Sequence, residues 1–447
     1  MKQFRIFRKV LLRERRHYSF LLLSGVIVGS LSGLIGSLFQ LSIIWFTDLK
    51  YYLAETLIQN QIGRYSFIIL FCVVSIIVAI ILVRKFAPEA AGSGVQEIEG
   101  VLLNYRKLRG HRILPIKFIG GVLALSSGLV LGREGPTIQM SSAIGKMFSD
   151  RFRLRPEFTH AIIAAGAGAG LAAAFNAPLA GILFVIEEMR GEFRYSFMSM
   201  NCVIVASICS DIVLRLIMGQ KPDIVMTYFS TPPIASLWMF VVFGCIFGVF
   251  GVIFNRYLIK VLNFFSDSKQ IVYWPMIVMV GIVVGSLTIF YPHAVGGGYN
   301  IISDALSYKV PIMALLLLFL IRMAATWVSY GSGTPGGIFA PMIALGTVFG
   351  MWYGQFAHFF FPELVTHPGI FAVAGMSALF TATVGAPLTG ILLVTEMTMN
   401  YALILPLIIT CFSATITAFL LGGNPIYETL LERTLKRVAQ KKKLIKK

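Results

Sequence analysis

Apolar stretches recur along this chain from near one end to the other, and they bound its fold more tightly than any other feature. The clearest are Tyr18–Phe46, Ser66–Val83, Ile116–Leu131, Ala161–Ile186, Phe197–Ile208, Trp238–Phe254, Val272–Phe290, Pro311–Ile321, Ile370–Val394 and Ala402–Leu421. A straight membrane span needs roughly 20 apolar residues. Hydrophobic residues make up 57% of the chain and charged residues 13%, against about 25% charged in a soluble domain. A soluble core could not hide that much apolar surface, so the bilayer is the solvent and the expected fold is an all-α polytopic membrane protein. Several runs are short or broken by Gly or Pro, a pattern that places helix ends at mid-membrane depth.

The formal charge is +18, and much of it sits at the two ends. Arg5, Arg8, Lys9, Arg13, Arg15 and Arg16 crowd the first stretch, and Arg433–Lys447 carries a second basic run. Lys and Arg accumulate on the cytoplasmic flanks of membrane segments, so both termini are expected in the cytoplasm with an even number of crossings, and neither tail is read as binding nucleic acid. The first apolar run is too long for a signal-peptide core of about 7–15 residues. The five cysteines lie in or near apolar runs without metal-ligand spacing, and the six histidines form no metalloprotease-like pair, so neither a metal nor a cofactor is expected.

The chain repeats itself at an offset of roughly 205–215 residues. Ala177-Pro178-Leu179-Ala180-Gly181-Ile182-Leu183-Phe184-Val185-Ile186-Glu187 matches the block from Ala386 to Glu396 at eight of eleven positions. Gly132, Pro136 and Gly145 match Gly337, Pro341 and Gly350. Gly29, Gly33 and Gly36 match Gly244, Gly248 and Gly251, and the turn Gly92-Ser93-Gly94 matches Gly296-Gly297-Gly298. Glycine-rich membrane helices resemble one another in general, but four landmarks in the same order mark a duplication. The organisation read from this is a basic tail over 1–17, a first membrane repeat over 18–228, a second over 229–434 and a basic tail over 435–447. Halves that each cross an odd number of times lie antiparallel, with a substrate site between them near the midplane.

Polar, glycine-rich breaks interrupt the apolar runs at Gly92-Ser93-Gly94-Val95-Gln96-Glu97, at Gly132-Arg133-Glu134-Gly135-Pro136, from Gly331 to Pro341, and around Tyr427. Gly followed closely by Pro reads as a turn that opens a helix. Each helix start carries unpaired N–H groups and about half a positive charge, and several aimed at one point make an anion site. Partial charges with a few hydroxyl and amide donors hold an anion moderately, as passage through a membrane demands. A full lysine charge would hold it too tightly.

Gly92-Ser93-Gly94, Gly132-Arg133-Glu134-Gly135-Pro136 and Gly337-Ile338-Phe339-Ala340-Pro341 closely resemble the three anion-site motifs of the CLC family of chloride channels and chloride/proton antiporters. The resemblance runs from about Tyr18 to Thr434, and the Glu187-Glu188 pair is most like the bacterial antiporters. It implies a homodimer in the cell inner membrane, chloride and protons as the transported ions, and no enzymatic activity. It also implies roles by position. The hydroxyls of Ser93 and Tyr427 and the backbone N–H groups of Ile338 and Phe339 would hold chloride. Glu134 would be the external gate and proton acceptor, and Glu188 the internal proton acceptor with Glu187 in support. One departure is Gln96, where the family commonly has Pro.

Acids at membrane depth are functional candidates by default. A carboxylate at Glu134 can occupy an anion site as a tethered mimic of chloride and leave it when protonated, which couples the two ions. Glu188 closes an apolar helix, and a solvated helix end paired with Arg190 is its bland alternative. Glu396, the repeat counterpart of Glu187, reads as structural. Lys117, in an apolar run, reads equally as an electrostatic lure for anions or as half of a buried ion pair. The rival functions are a passive chloride channel of the same fold, which an acid at position 188 disfavours, and an intramembrane enzyme, for which no catalytic pair is placed. Gly168-Ala169-Gly170-Leu171-Ala172-Ala173 fits a dinucleotide-binding pattern but sits in a membrane helix rather than a βαβ unit.

Overall fold

The computed structural model describes residues 2–189 and 195–445, with side chains described for 18–189 and 195–440. Arg190 lies outside the described residues. Within them the chain forms α-helices and no strand. The first half holds α1 (Lys2–Leu57), α2 (Gln61–Phe86), α3 (Val95–Leu102), α4 (Gly110–Ser126), α5 (Glu134–Arg151), α6 (Pro156–Phe175), α7 (Pro178–Glu188) and α8 (Phe197–Met218). The second holds α9 (Leu237–Asp267), α10 (Gln270–Phe290), α11 (Tyr299–Leu306), α12 (Ile312–Gly331), α13 (Phe339–Phe360), α14 (Gly369–Val384), α15 (Pro387–Thr398), α16 (Ile404–Leu420) and α17 (Ile426–Ile445). Eight helices among the described residues are long and apolar enough to cross a membrane. The others include the short helices α3, α7, α11 and α15.

The duplication read from sequence recurs as packing. A Cβ at Gly29 would stand 2.3 Å from the carbonyl oxygen of Ala206, and one at Gly33 2.3 Å from that of Ser210. Their counterparts Gly244 and Gly248 meet the carbonyls of Thr410 and Ala414 at 2.5 and 2.8 Å. So α1 lies on α8 as α9 lies on α16, each pair at a distance only glycine permits. Helices α6 and α14 are the buried centres of the two halves. Large apolar side chains such as Leu216, Ile271 and Met313 face outward, as lipid rather than water requires.

The two halves meet about a local two-fold relation. Gly132 and Gly337, equivalent by repeat, pair antiparallel, each N–H donating to the other's carbonyl at 2.8 and 2.7 Å. The end of each repeat's Ala-Pro-Leu helix also caps the start of the other. Glu187 on α7 accepts from the N–H groups of Leu388 and Thr389 and from the Thr389 hydroxyl, while Glu396 on α15 accepts from the N–H groups of Leu179 and Ala180. These carboxylates satisfy orphan donors at helix N-termini, where the dipole also favours a negative charge.

Composition boundaries and element boundaries do not always coincide. Helix α1 runs unbroken past residues 17 and 18, and α17 runs past 434 and 435. Residues 228 and 229 fall in the irregular link between α8 and α9.

Candidate functional site

Each polar break read from the sequence opens a helix. Val95 starts α3, Glu134 starts α5, Phe339 starts α13 and Ile426 starts α17. Pro136 and Pro341 sit in the first turns of α5 and α13, where a missing N–H costs nothing. Gln96 stands at the second residue of α3, and the helix forms without a proline there. Its Oε1 is buried without a hydrogen-bond partner among the described residues.

These starts are drawn to one place. Gly92 donates to the Thr334 carbonyl and Gly336 to the Gly92 carbonyl, tying the first break to the third at 3.0 Å in each bond. The Gly132–Gly337 pair ties the second to the third. Gly135 brings the first turn of α5 against Ser93. A Cβ there would lie 2.2 Å from the Ser93 hydroxyl. The Phe339 ring packs edge-on against Tyr427 at 5.7 Å and against Phe380 at 4.9 Å. Ser93, Ile338, Phe339 and Tyr427, assigned to one ion from the sequence, are thus neighbours with no exposed surface.

The donors at this point suit an anion. The hydroxyls of Ser93 and Tyr427 interact electrostatically, yet neither makes a hydrogen bond of good geometry among the described residues. The two hydroxyls are close neighbours, and each keeps the capacity to donate to an anion. Ile338 and Phe339 stand at the start of a helix whose first N–H groups have no intrahelical acceptor.

Glu134 lies on the other side of the same turn, fully buried. Its Oε2 accepts from the Ala340 N–H at 3.4 Å, at the start of α13, and its Oε1 accepts from the Tyr299 hydroxyl at 3.3 Å. The carboxylate therefore sits at a helix end that would equally attract a free anion. Beside it, Arg133 donates to Asp223 at 3.2 Å and to the Ala174 carbonyl, and its guanidinium lies 5.0 Å from the centre of the Tyr299 ring.

A cavity of about 620 Å³ opens next to Gly92 and Gln96, with Arg106, Arg109, Arg433 and Arg437 in its wall. Arg106 pairs with Glu97, Arg109 with Glu89 and Arg437 with Asp267. Arg433 bonds neutral groups instead, the Asn263 amide oxygen, the Leu262 carbonyl and the Ser266 hydroxyl. Burial works against a charge on Glu89, but the two-pronged bond from Arg109 holds its carboxyl below the usual carboxylate range. Between this cavity and Ser93 stands Tyr330, whose hydroxyl oxygen accepts from the Ser93 N–H at 3.4 Å.

Glu188 lies at the last residue of α7, partly buried, and its charge reaches the Tyr427 phenol. Glu187 beside it faces elsewhere, onto the start of α15. Lys117 stands on α4. It is fully buried and donates to the carbonyls of Ala90 and Gly92 at 3.0 and 2.6 Å. It clasps the turn that carries Ser93, and its charge also interacts with Glu97 beyond direct salt-bridge distance. Tyr299, Tyr330 and Arg322 were not singled out from the sequence. Tyr299 follows the second glycine turn as Val95 follows the first, a position the repeat could have flagged. Tyr330 and Arg322 lie inside an apolar helix and gave no local signal.

Residues 74–418 match the family described as voltage gated chloride channel. The H(+)/Cl(-) exchange transporter ClcA of Vibrio parahaemolyticus is 48% identical over 421 residues, 93% of this chain and 90% of that protein. ClcA of Salmonella arizonae is 44% identical over 444 residues, 97% and 93% of the two chains. The crystal structure of a slow cyanobacterial Cl-/H+ antiporter superposes with a TM-score of 0.89 at 40% identity, covering 93% of this chain and 98% of that one. A eukaryotic CLC transporter shares the fold at a TM-score of 0.79 and 21% identity, over 93% of this chain and 74% of that one. With its three motifs gathered at one buried point and its halves paired antiparallel, this chain belongs to the CLC, or voltage-gated chloride channel, family and has that family's membrane fold of two inverted-topology repeats.

Proposed function

We propose that this protein is a secondary-active antiporter that exchanges chloride for protons across the bacterial inner membrane. The observation that carries the reading is the Glu134 carboxylate, held by the Ala340 N–H at the start of α13 and carried on a helix turn, that of Gly135, packed against Ser93. Chloride accepts from those two hydroxyls and from the N–H groups of Ile338 and Phe339. Ionised Glu134 competes for the same helix end. Protonation removes its charge and with it the attraction to the helix dipole, so the side chain leaves and the anion moves. One group thereby answers to both ions.

Proton traffic on the inner side belongs to Glu188, at the end of α7. It separates this reading from a passive channel of the same fold, in which nothing beyond Glu134 need titrate. Glu187 supports it only indirectly, by holding α7 and α15 together. The protein acts as a homodimer with a separate pathway in each subunit and both termini in the cytoplasm. It has no enzymatic activity.

Chloride and proton fluxes measured together in proteoliposomes under opposing gradients test the proposal. Wild type is expected to take up protons when chloride flows outward. Glu134→Gln is expected to abolish that coupling while chloride still flows, because an amide resembles the protonated acid at every pH. Glu188→Gln is expected to stop protons and leave a pH-dependent chloride flux. Chloride flux without proton movement in wild type would establish the channel instead.

A further inference from the structure

We infer that Tyr299 is a positioning residue for the gate carboxylate, and that its phenol sets the pH at which Glu134 releases the anion path. This deepens the gate reading above and rests on it. Tyr299 is the first residue of α11. It leaves a fixed point. Gly298 before it has a left-handed φ of 105°, and the carbonyls of His293, Val295 and Gly296 are all bonded by the buried Arg322 guanidinium. Its ring is held from the other side. Arg133 lies over it at 5.0 Å and is itself anchored to Asp223 and to the Ala174 carbonyl. A phenol restrained at both ends presents its hydroxyl in one direction, and in that direction lies Glu134 Oε1 at 3.3 Å.

The two oxygens of Glu134 are thus each given one donor, Tyr299 O–H to Oε1 and Ala340 N–H to Oε2. The charged groups around it are Arg133 from its own turn and Asp223 from the link between α8 and α9, which form an ion pair with each other, Arg133 acting on Glu134 more strongly than Asp223. Arg133, Asp223 and the backbone donors stay in place when the phenol hydroxyl is removed, so the Tyr299 bond is the part of the balance between seated carboxylate and departed acid that one side-chain change isolates. A hydrogen bond to the charged form favours that form. A protonated carboxyl can still donate to the phenol oxygen, but that neutral bond is about half as strong as the one the phenol gives the carboxylate. Tyr299 selects the ionised, seated state and resists opening. Both bonds are longer than the usual ranges for their types, so the expected effect is modest and tunable rather than all-or-none.

The test is Tyr299→Phe in proteoliposomes, alone and combined with Glu134→Gln. Phenylalanine keeps the ring under Arg133, where a cation–π contact persists, and removes one hydroxyl. In the single variant the midpoint of chloride efflux against pH is expected to move upward by about one unit. Efflux well above the midpoint then rises by up to about tenfold at unchanged proton coupling. In the Glu134→Gln background the same change should alter flux by less than about twofold, since no carboxylate remains to be selected. An unmoved midpoint overturns the inference, and so does an equal effect of Tyr299→Phe with and without Glu134. Wild-type protein that moves chloride without protons would instead overturn the antiporter reading, because the pH midpoint of efflux is read from chloride alone.

Discussion

The two glycine turns, Gly92-Ser93-Gly94 and Gly296-Gly297-Gly298, are copies of one design put to different uses. Each has left-handed glycines at its first and third positions, and each opens an eight-residue helix. Each is clasped by a fully buried cation from the second helix after the turn, Lys117 on α4 bonding two carbonyls in the first half and Arg322 on α12 bonding three in the second. They diverge in what the turn displays. The first offers the Ser93 hydroxyl to the site between the halves. The second has Gly297 at the equivalent place, and the chemistry moves to the following residue, Tyr299, which reaches Glu134. Duplication supplied a symmetric frame, and substitution at two positions left a serine inside the first turn and a tyrosine after the second.

If the cations are structural clasps, their removal should cost stability in proportion to the carbonyls they leave unpaired, at about 1–3 kcal/mol for each buried group. Arg322→Met is expected to cost about 3 kcal/mol or more and Lys117→Met about 2 kcal/mol. The relief of desolvation on removing a buried charge is common to both and largely cancels in the comparison. Thermal unfolding midpoints in detergent would order them. A larger loss for Lys117→Met would break the symmetry argued here and return Lys117 to an electrostatic role.

Ion binding should rank the same two variants the other way. The turn clasped by Lys117 carries Ser93, so Lys117→Met is expected to weaken chloride affinity by about tenfold, equivalent to 1.4 kcal/mol. Arg322→Met, measured on its folded fraction, should leave affinity within about twofold. Isothermal titration with chloride reads both, and equal losses would mean that the halves share the ion.

Reciprocal capping offers a third discrimination. Glu187 accepts three bonds from the start of α15, and Glu396 accepts two from the start of α7. A lost helix cap costs about 1 kcal/mol. Glu187→Ala is therefore expected to lower stability by about 1–2 kcal/mol and Glu396→Ala by about 1 kcal/mol, with the ratio of chloride to protons unchanged in both. A changed ratio in Glu187→Ala would place that carboxylate in the proton path beside Glu188.

Much of this was legible beforehand because repetition and glycine leave marks in a sequence. The four breaks at Gly92, Gly132, Gly331 and Tyr427 had to be polar and glycine-rich, since only such residues let helix ends approach one another inside a membrane, and each does open a helix. The neighbours of the site were less visible. Arg322 and Lys117 sit in apolar helices, and a lone cation there fits a lure, an ion pair or a clasp equally well. The choice depends on carbonyls tens of residues away along the chain. The cap that Glu187 makes was not legible from its adjacency to Glu188, because successive residues on a helix point in different directions. Its target, α15, lies some 200 residues further on. Tyr299 was passed over because a tyrosine near a helix start is ordinary, and only the folded chain brings its hydroxyl to Glu134.

The smallest expected effect tests whether the second turn could be turned back into the first. Gly297 takes the place of Ser93, and a Cβ built on it meets the Leu131 carbonyl oxygen at 3.4 Å and the Tyr299 ring at 3.8 Å, both ordinary contacts. Its φ is not left-handed, unlike those of Gly296 and Gly298. Gly297→Ser should therefore fold normally, with a stability change within about 0.5 kcal/mol. The new hydroxyl has the Leu131 carbonyl within reach as an acceptor, so it need not face an anion. The phenol that follows the turn is already bonded to Glu134. The variant is expected to bind chloride with the stoichiometry and affinity of wild type in calorimetric titration. A second bound chloride per subunit would show that a serine between two left-handed glycines suffices to make the site, and that the convergence of α5, α13 and α17 on Ser93 is dispensable.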